Sequence, residues 1–253
     1  MLLTNKIAVV TGGSNGIGAA TVRMLAAEGA NVVICYNKGR ARAEALLAAL
    51  PKEKGATPDH RLQQLTVEDT ASVRRLAEDV RAAFGRADIL VNSAGFTRPV
   101  PHADLEALDD ALIDGIMAAN VRGPFAVIRA MAPLMRAGGD GVIVNVSSIS
   151  AFTGSGSNIA YCASKAALDT MTMSLARVLG PAIRVLCVSP AAVATDFVAG
   201  RDRAALEKIA QGTPLKRVVE PEDIALAVMA CITHLKVSTG TRIVTDAGRF
   251  LAT

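Results

Sequence analysis

The apolar run Ile7-Ala8-Val9-Val10-Thr11 breaks at Gly12-Gly13-Ser14-Asn15-Gly16-Ile17-Gly18, and Ala19 to Ala27 then follows as a helix-forming stretch. A glycine-rich break at this place does more to restrict the fold than any other feature of the chain. Gly12 permits a tight turn, Gly16 a close approach of backbone to a bound group, and Gly18 close packing of the helix on its strand. Strand, turn and helix in that order make one βα unit, and the alternation continues to the end of the chain. Short β-branched runs predict strands at residues 7–11, 31–35, 61–65, 89–92, 142–146, 183–188 and 242–245. Between the third and fourth, Val73, Leu76, Val80 and Phe84 recur at helical spacing, with Arg74, Arg75, Glu78 and Arg81 on the opposite side. Parallel strands joined by helical crossovers form an α/β doubly wound sheet of seven strands with helices on both faces. The linker-like stretch 51–60 is too short and too early to divide the chain, so residues 1–253 are expected to form one domain.

Composition excludes several classes. The net charge is +4, but the 27 basic residues are scattered and only 3% of residues are aromatic, which argues against a nucleic-acid surface. Cys35, Cys162, Cys187 and Cys231 have no CxxC spacing and read as reduced thiols. His60, His102 and His234 are isolated from one another and lie near no Cys or carboxylate pair at ligand spacing, so no metal is expected. The longest clean apolar stretch, 224–232, is too short to span a bilayer, and Arg129 and Arg184 interrupt the other candidates. The chain passes straight from Met1 into the first strand, with no secretory signal. The expectation is a cytoplasmic protein.

Two motifs carry chemistry. Helix N–H groups behind the glycine turn face whatever sits on it, and a dinucleotide pyrophosphate is the group such a strand–turn–helix receives. Tyr161 and Lys165 are four residues apart in Ala160-Tyr161-Cys162-Ala163-Ser164-Lys165 and share one helix face. A phenol titrates near pH ~10 and is a poor base at neutrality, so an adjacent ammonium is the neighbour it needs to act as acid and base. No acid stands at the end of the second strand, where Tyr36-Asn37-Lys38 is followed by Arg40. A carboxylate there would bind the ribose hydroxyls of NAD; positive charge suits a 2′-phosphate.

With its GxxxGxG turn and Tyr-xxx-Lys pair, the chain resembles the short-chain dehydrogenase/reductase family, and within it the 3-oxoacyl-carrier-protein reductases, over nearly its whole length. Asn92-Ser93-Ala94-Gly95, Asn120 in Ala119-Asn120-Val121, Ser148 before Tyr161, the loop from Ser189 to Thr195, and Asp246-Ala247-Gly248 each match a family segment in order. Ser147 is one step out of register with the catalytic serine and reads as structural. The resemblance implies a hydride transfer between a nicotinamide cofactor and a carbonyl or alcohol. Tyr161 would exchange the proton, Ser148 would hold the substrate oxygen, Lys165 would bias the phenol and bind the ribose, and Asn120 would hold a relay water. It further implies a dinucleotide held by Gly12, Ser14, Asn15, Gly16, Ile17 and Gly18 of the turn, and by Tyr36, Asn37 and Lys38 after the second strand. Val67 follows the third strand, Asn92, Ala94 and Gly95 the fourth, and Tyr161, Lys165, Pro190, Val193 and Thr195 complete the set. Lys38 and Arg40 favour NADP, with NAD as the alternative; Asn15 stands where NADP-preferring relatives often carry a basic residue. Thr66 replaces the acid that contacts adenine, and Ser93, Ala191 and Ala247 are small departures near the cofactor. Substrate walls are expected from Phe96, residues 149–152, Asn158 and residues 196–212, with Arg201 and Arg203 as anion contacts or surface charges. The apolar faces of the helical segments Leu105 to Met135 and Tyr161 to Leu179 exceed what a sheet needs, and relatives pair such helices, which implies a homotetramer, then a homodimer. The rival readings are a non-catalytic dinucleotide sensor on the same fold and a halohydrin-dehalogenase-type lyase, the latter disfavoured by Lys165 and the glycine turn.

Overall fold

The computed structural model describes residues 1–51 and 59–251; most of the stretch read as a linker lies outside the described residues. Strands β1 (Ile7–Thr11), β2 (Asn31–Tyr36), β3 (Arg61–Gln64), β4 (Ile89–Asn92), β5 (Gly141–Val146), β6 (Ile183–Pro190) and β7 (Arg242–Thr245) form one parallel sheet in the order β3-β2-β1-β4-β5-β6-β7. The helices are α1 (Gly16–Ala27), α2 (Arg40–Ala49), α3 (Thr70–Phe84), α4 (Asp110–Met117), α5 (Gly123–Gly138), α6 (Ser150–Thr153), α7 (Ile159–Leu179), α8 (Arg203–Gln211) and α9 (Pro221–Thr233).

Side-chain alternation along each strand decides the layers. Ala8, Val10, Val32 and Ile34 point to one face, where Val22 and Leu25 of α1 and Ile224 and Val228 of α9 cover them. Val9, Val33, Leu90 and Ile143 point to the other, against Leu76 and Val80 of α3, Val127 and Met131 of α5, and Leu179 of α7. Strands buried on both faces need continuous apolar runs, and β1, β4 and β5 are buried throughout. All four cysteines are buried and unpaired.

The helix from Asp110 to Gly138 is 29 residues long and, by length and composition, apolar enough to cross a bilayer, a feature that reading for uninterrupted apolar runs overlooked. Half of its most apolar window is buried inside the protein, where Val127, Ile128 and Met131 serve the core.

Strand order reverses between β1 and β4, so the loops at their carboxyl ends diverge and leave a crevice. Thr11 Oγ1 accepts from the N–H groups of Ser93 and Ala94, both at 3.1 Å, tying the two loops together at its floor.

Candidate active site

The glycine turn builds one end of the crevice. A methyl group on Gly18 would stand 2.2 Å from the Gly12 carbonyl oxygen, so only glycine lets α1 begin this close to the strand. Gly16 sits at φ +49°, in the left-handed region. The N-cap, Asn15, makes no side-chain capping bond, and the first turn of α1 holds no acid. Its first N–H donors and the positive end of its dipole therefore remain available to an anion.

The crevice opens into a cavity of about 960 Å³. Gly12, Asn15, Gly16, Ile17, Asn37, Val67, Ala94, Gly95, Ser148, Tyr161, Lys165, Pro190, Val193 and Thr195 all line it. The other residues read as site candidates do not line it. Gly18 underlies the turn, and Tyr36 is buried. Asn92 is buried and donates to Asn145 Oδ1, which in turn has its amide on Thr172 Oγ1, so a polar chain braces the sheet beneath the site. Lys38 is exposed, and Arg40 is turned onto Glu44 at 2.8 Å. The free guanidinium near the end of β2 belongs to Arg42 instead. A methyl group on Gly39 would lie 3.2 Å from both Nε and Nη2 of Arg42 and 3.3 Å from Ser14 Oγ, so cation and hydroxyl flank the same backbone. Arg42 has no ion pair among the described residues.

Tyr161 and Lys165 are presented by the first turns of α7, whose start is held by Asn158. Its Oδ1 accepts from Tyr161 N at 2.6 Å, and its amide donates to Arg98 O at 2.8 Å. Ser148, just past β5, accepts from Ser150 N at 3.1 Å and donates to Pro190 O at 3.4 Å. Ser147 is buried and reaches the Lys165 carbonyl, consistent with a structural role.

Lys165 Nζ donates to Val146 O at 2.9 Å and stands 5.7 Å from the centre of the Tyr161 ring. Burial lowers its pKa from 10.5 to about 8, against the opposing pull of Cys187 and Asp169. Burial likewise pushes the Tyr161 phenol up to about 12, partly offset by a hydrogen bond from Ser148 and by the charge of Arg201. The pair shares a face, as its spacing predicts, but the ammonium is aimed at a carbonyl. The cation whose charge registers at the phenol is Arg201.

Asn120 lies in a π-helical turn between α4 and α5, Ala118–Arg122. Pro124, four residues on, has no N–H, so the Asn120 carbonyl loses its usual helical donor. Its side chain accepts from Phe96 N at 2.8 Å and donates to Phe96 O and Ser164 Oγ, while Ser164 donates to Tyr161 O. Asn120 thus links the loop after β4 to the helix bearing Tyr161.

Phe197 falls in the segment 196–212 expected as a substrate wall, whereas Arg249 and Phe250 escaped the sequence reading. Phe197 lies 6.0 Å from Tyr161, ring centre to ring centre, and edges onto Gly95. Arg249 and Phe250 return from beyond β7, where Asp246 accepts from the N–H groups of Gly248 and Phe250. Phe250 meets Phe152 edge-on at 5.0 Å. No motif marks these positions; only the path of the sheet brings the C-terminus back. Of the two arginines considered as anion contacts, Arg201 lines the cavity, whereas Arg203 is exposed and paired with Glu207 and Glu220. No cluster of three His, Cys, Asp or Glu at metal-binding proximity occurs among the described residues.

A family model described as Enoyl-(Acyl carrier protein) reductase matches residues 12–249. The chain is 38% identical over 232 residues to a 3alpha-hydroxysteroid dehydrogenase of Mediterraneibacter gnavus, covering 90% of each. It is 33% identical over 230 residues to a 3-oxoacyl-[acyl-carrier-protein] reductase of Thermotoga maritima, covering 90% of this chain and 91% of that one. The solved structure of a short-chain type dehydrogenase/reductase from Mycobacterium ulcerans superposes with a TM-score of 0.90 at 29% identity, over 100% of this chain and 92% of that one.

Proposed function

The chain belongs to the short-chain dehydrogenase/reductase family, and on that premise we propose that it interconverts a carbonyl and an alcohol by hydride transfer, with Tyr161 as acid and base. The observation that carries this reading is the shared cavity: Ser148, Tyr161 and Lys165 open onto the same space as Gly12 and Gly16. A nicotinamide dinucleotide bound there would supply or accept the hydride. The donors at the start of α1, with no acid opposing them, suit its pyrophosphate.

In reduction, Ser148 and Tyr161 hydrogen-bond the substrate oxygen, and Tyr161 gives it the phenolic proton as charge develops. In oxidation Tyr161 accepts the proton. Lys165, one turn along α7 and 5.7 Å from the centre of the phenol ring, offers positive charge to the site and a donor for a ribose hydroxyl. The freed Asn120 carbonyl suits a water leading from Lys165 to solvent, and Thr195 suits the carboxamide. At the other end, Arg42 and Ser14 support NADP(H), because an unpaired guanidinium beside a hydroxyl fits a 2′-phosphate and no carboxylate stands at Tyr36. Substrate polarity aside, the wall from Phe152, Phe197 and Phe250 is apolar. A cytoplasmic homotetramer, with a homodimer next, belongs to the same reading; Phe125 on α5 and Met173 and Val178 on α7 are exposed apolar side chains available to an interface.

The test is a titration with NADPH and NADH followed by an activity screen on carbonyls and alcohols. Tyr161→Phe is expected to lower kcat by about 10²-fold or more while NADPH binding persists. Arg42→Ala is expected to weaken NADPH by about tenfold and leave NADH nearly unchanged. Tight NADPH binding with no turnover across the panel would instead favour a non-catalytic sensor.

A further inference from the structure

The substrate end of the cavity has an electrostatic character that the catalytic residues do not explain. Apart from Tyr161 and Lys165, the ionisable side chains lining it there are Asp196, Arg201 and Arg249. Asp196 is exposed and forms no ion pair among the described residues. Arg201 combines two features that no other arginine among the described residues combines. Its side chain is partly buried, and it has neither a carboxylate partner nor a side-chain hydrogen bond among the described residues. Arg203, two residues on, holds two glutamates. A guanidinium withdrawn from water without a counter-ion is costly unless something else supplies the charge. Burial accordingly lowers the Arg201 pKa, and the Tyr161 phenol is the one ionisable group that counters it. Arg201 therefore shares the cavity with the point where the substrate oxygen would sit. The walls around it, Phe152, Phe197 and Ile209, offer no second acid.

We propose that the substrate is an oxo or hydroxy acid: an apolar body against the phenylalanines, the reacting carbon at Tyr161, and a carboxylate received by Arg201. A planar guanidinium fork matches a carboxylate through two parallel hydrogen bonds, which is why carboxylate is favoured over a sugar or an uncharged ketone. Arg249, exposed at the rim of the same cavity, adds a second positive charge on the approach. The inference rests on the hydride-transfer reading for the position of the reacting carbon. The role given to Arg201 is substrate positioning, separate from the proton exchange at Tyr161.

The experiment compares levulinate and 3-oxooctanoate with their methyl esters, which keep shape and remove charge. Two quantities are measured on wild type, Arg201→Met and Arg201→Lys: kcat/KM with NADPH, and binding of each compound to the NADP-saturated protein by calorimetry. Wild type is expected to prefer at least one acid over its ester by on the order of tenfold in both, the worth of one charge-assisted hydrogen-bonded contact. Arg201→Met is expected to erase that preference, and Arg201→Lys to restore part of it. A wild type that takes esters as well as acids, or a preference that survives Arg201→Met, overturns the inference while leaving hydride transfer intact. Acid-selective binding that depends on Arg201 without any turnover upholds the anion site and overturns the hydride-transfer reading.

Discussion

At the residue scale, the site stores its charges at a cost that pH reveals. Lys165 in the fold has its pKa lowered to about 8 from 10.5 by burial. Between those values the unfolded chain binds the proton and the folded chain does not, so stability rises with pH across that window. Below it both states are protonated and the penalty of a buried ammonium is felt in full. Tyr161 has the opposite sign at a later point: raised from 10.0 to about 12, it keeps its proton in the fold while the unfolded chain loses it. Between pH 10 and about 12 the folded chain therefore binds more protons than the unfolded one, and stability falls as pH rises through that window. Urea unfolding of the cofactor-free protein at about pH 7 and about pH 9.5 should therefore show wild type gaining relative to Lys165→Met, by up to about 2 kcal/mol. Equal pH dependence in the two proteins would mean that the ammonium is not desolvated.

At the element scale, the catalytic helix depends on its first residue. Asn158 is fully buried, caps α7 through Tyr161 N, and holds Arg98 O with its amide. Asn158→Ala removes the cap and leaves a carbonyl of the neighbouring loop short of a donor, at an expected cost of about 2 kcal/mol. Because the capped N–H is that of Tyr161, kcat should fall as well. Denaturant midpoints together with kcat check this, and an unchanged midpoint would show that α7 is held by its packing alone. The π-helical turn at Asn120 follows a similar logic, since the absent N–H of Pro124 is a covalent fact that the chain must accommodate. At the C-terminal turn, Ala247 adopts φ +55°, where a side chain is strained. The departure from glycine noted in the sequence is thus borne by the backbone, and Asp246 steadies the turn by accepting from Gly248 and Phe250.

At the scale of the whole molecule, both cores are built on the same seven strands. Loss of either helical layer would expose one face of that sheet, so unfolding is expected as one transition, with circular dichroism and cysteine accessibility changing together. Thiol labelling ahead of the loss of secondary structure would point to separable units. The sequence alone determined the strand positions nearly to the residue, because runs buried on both sheet faces must be continuously apolar and the glycine turn admits few alternatives. It also determined that Tyr161 and Lys165 share a face, a consequence of helical geometry. Which arginine stands free was beyond it. Arg40, Arg42, Arg201 and Arg203 look alike in a string of letters, and their roles depend on which acids the packing brings within reach. Glu44 captures Arg40, and Glu207 and Glu220 capture Arg203, whereas among the described residues Arg42 beside Gly39 and Arg201 on the cavity wall have no carboxylate partner. Likewise Arg249 and Phe250 meet the site only because strand order carries distant segments to the same carboxyl edge of the sheet. Local propensity is written residue by residue, but the pairing of charges and the lining of a cavity are long-range contacts, settled when the layers close.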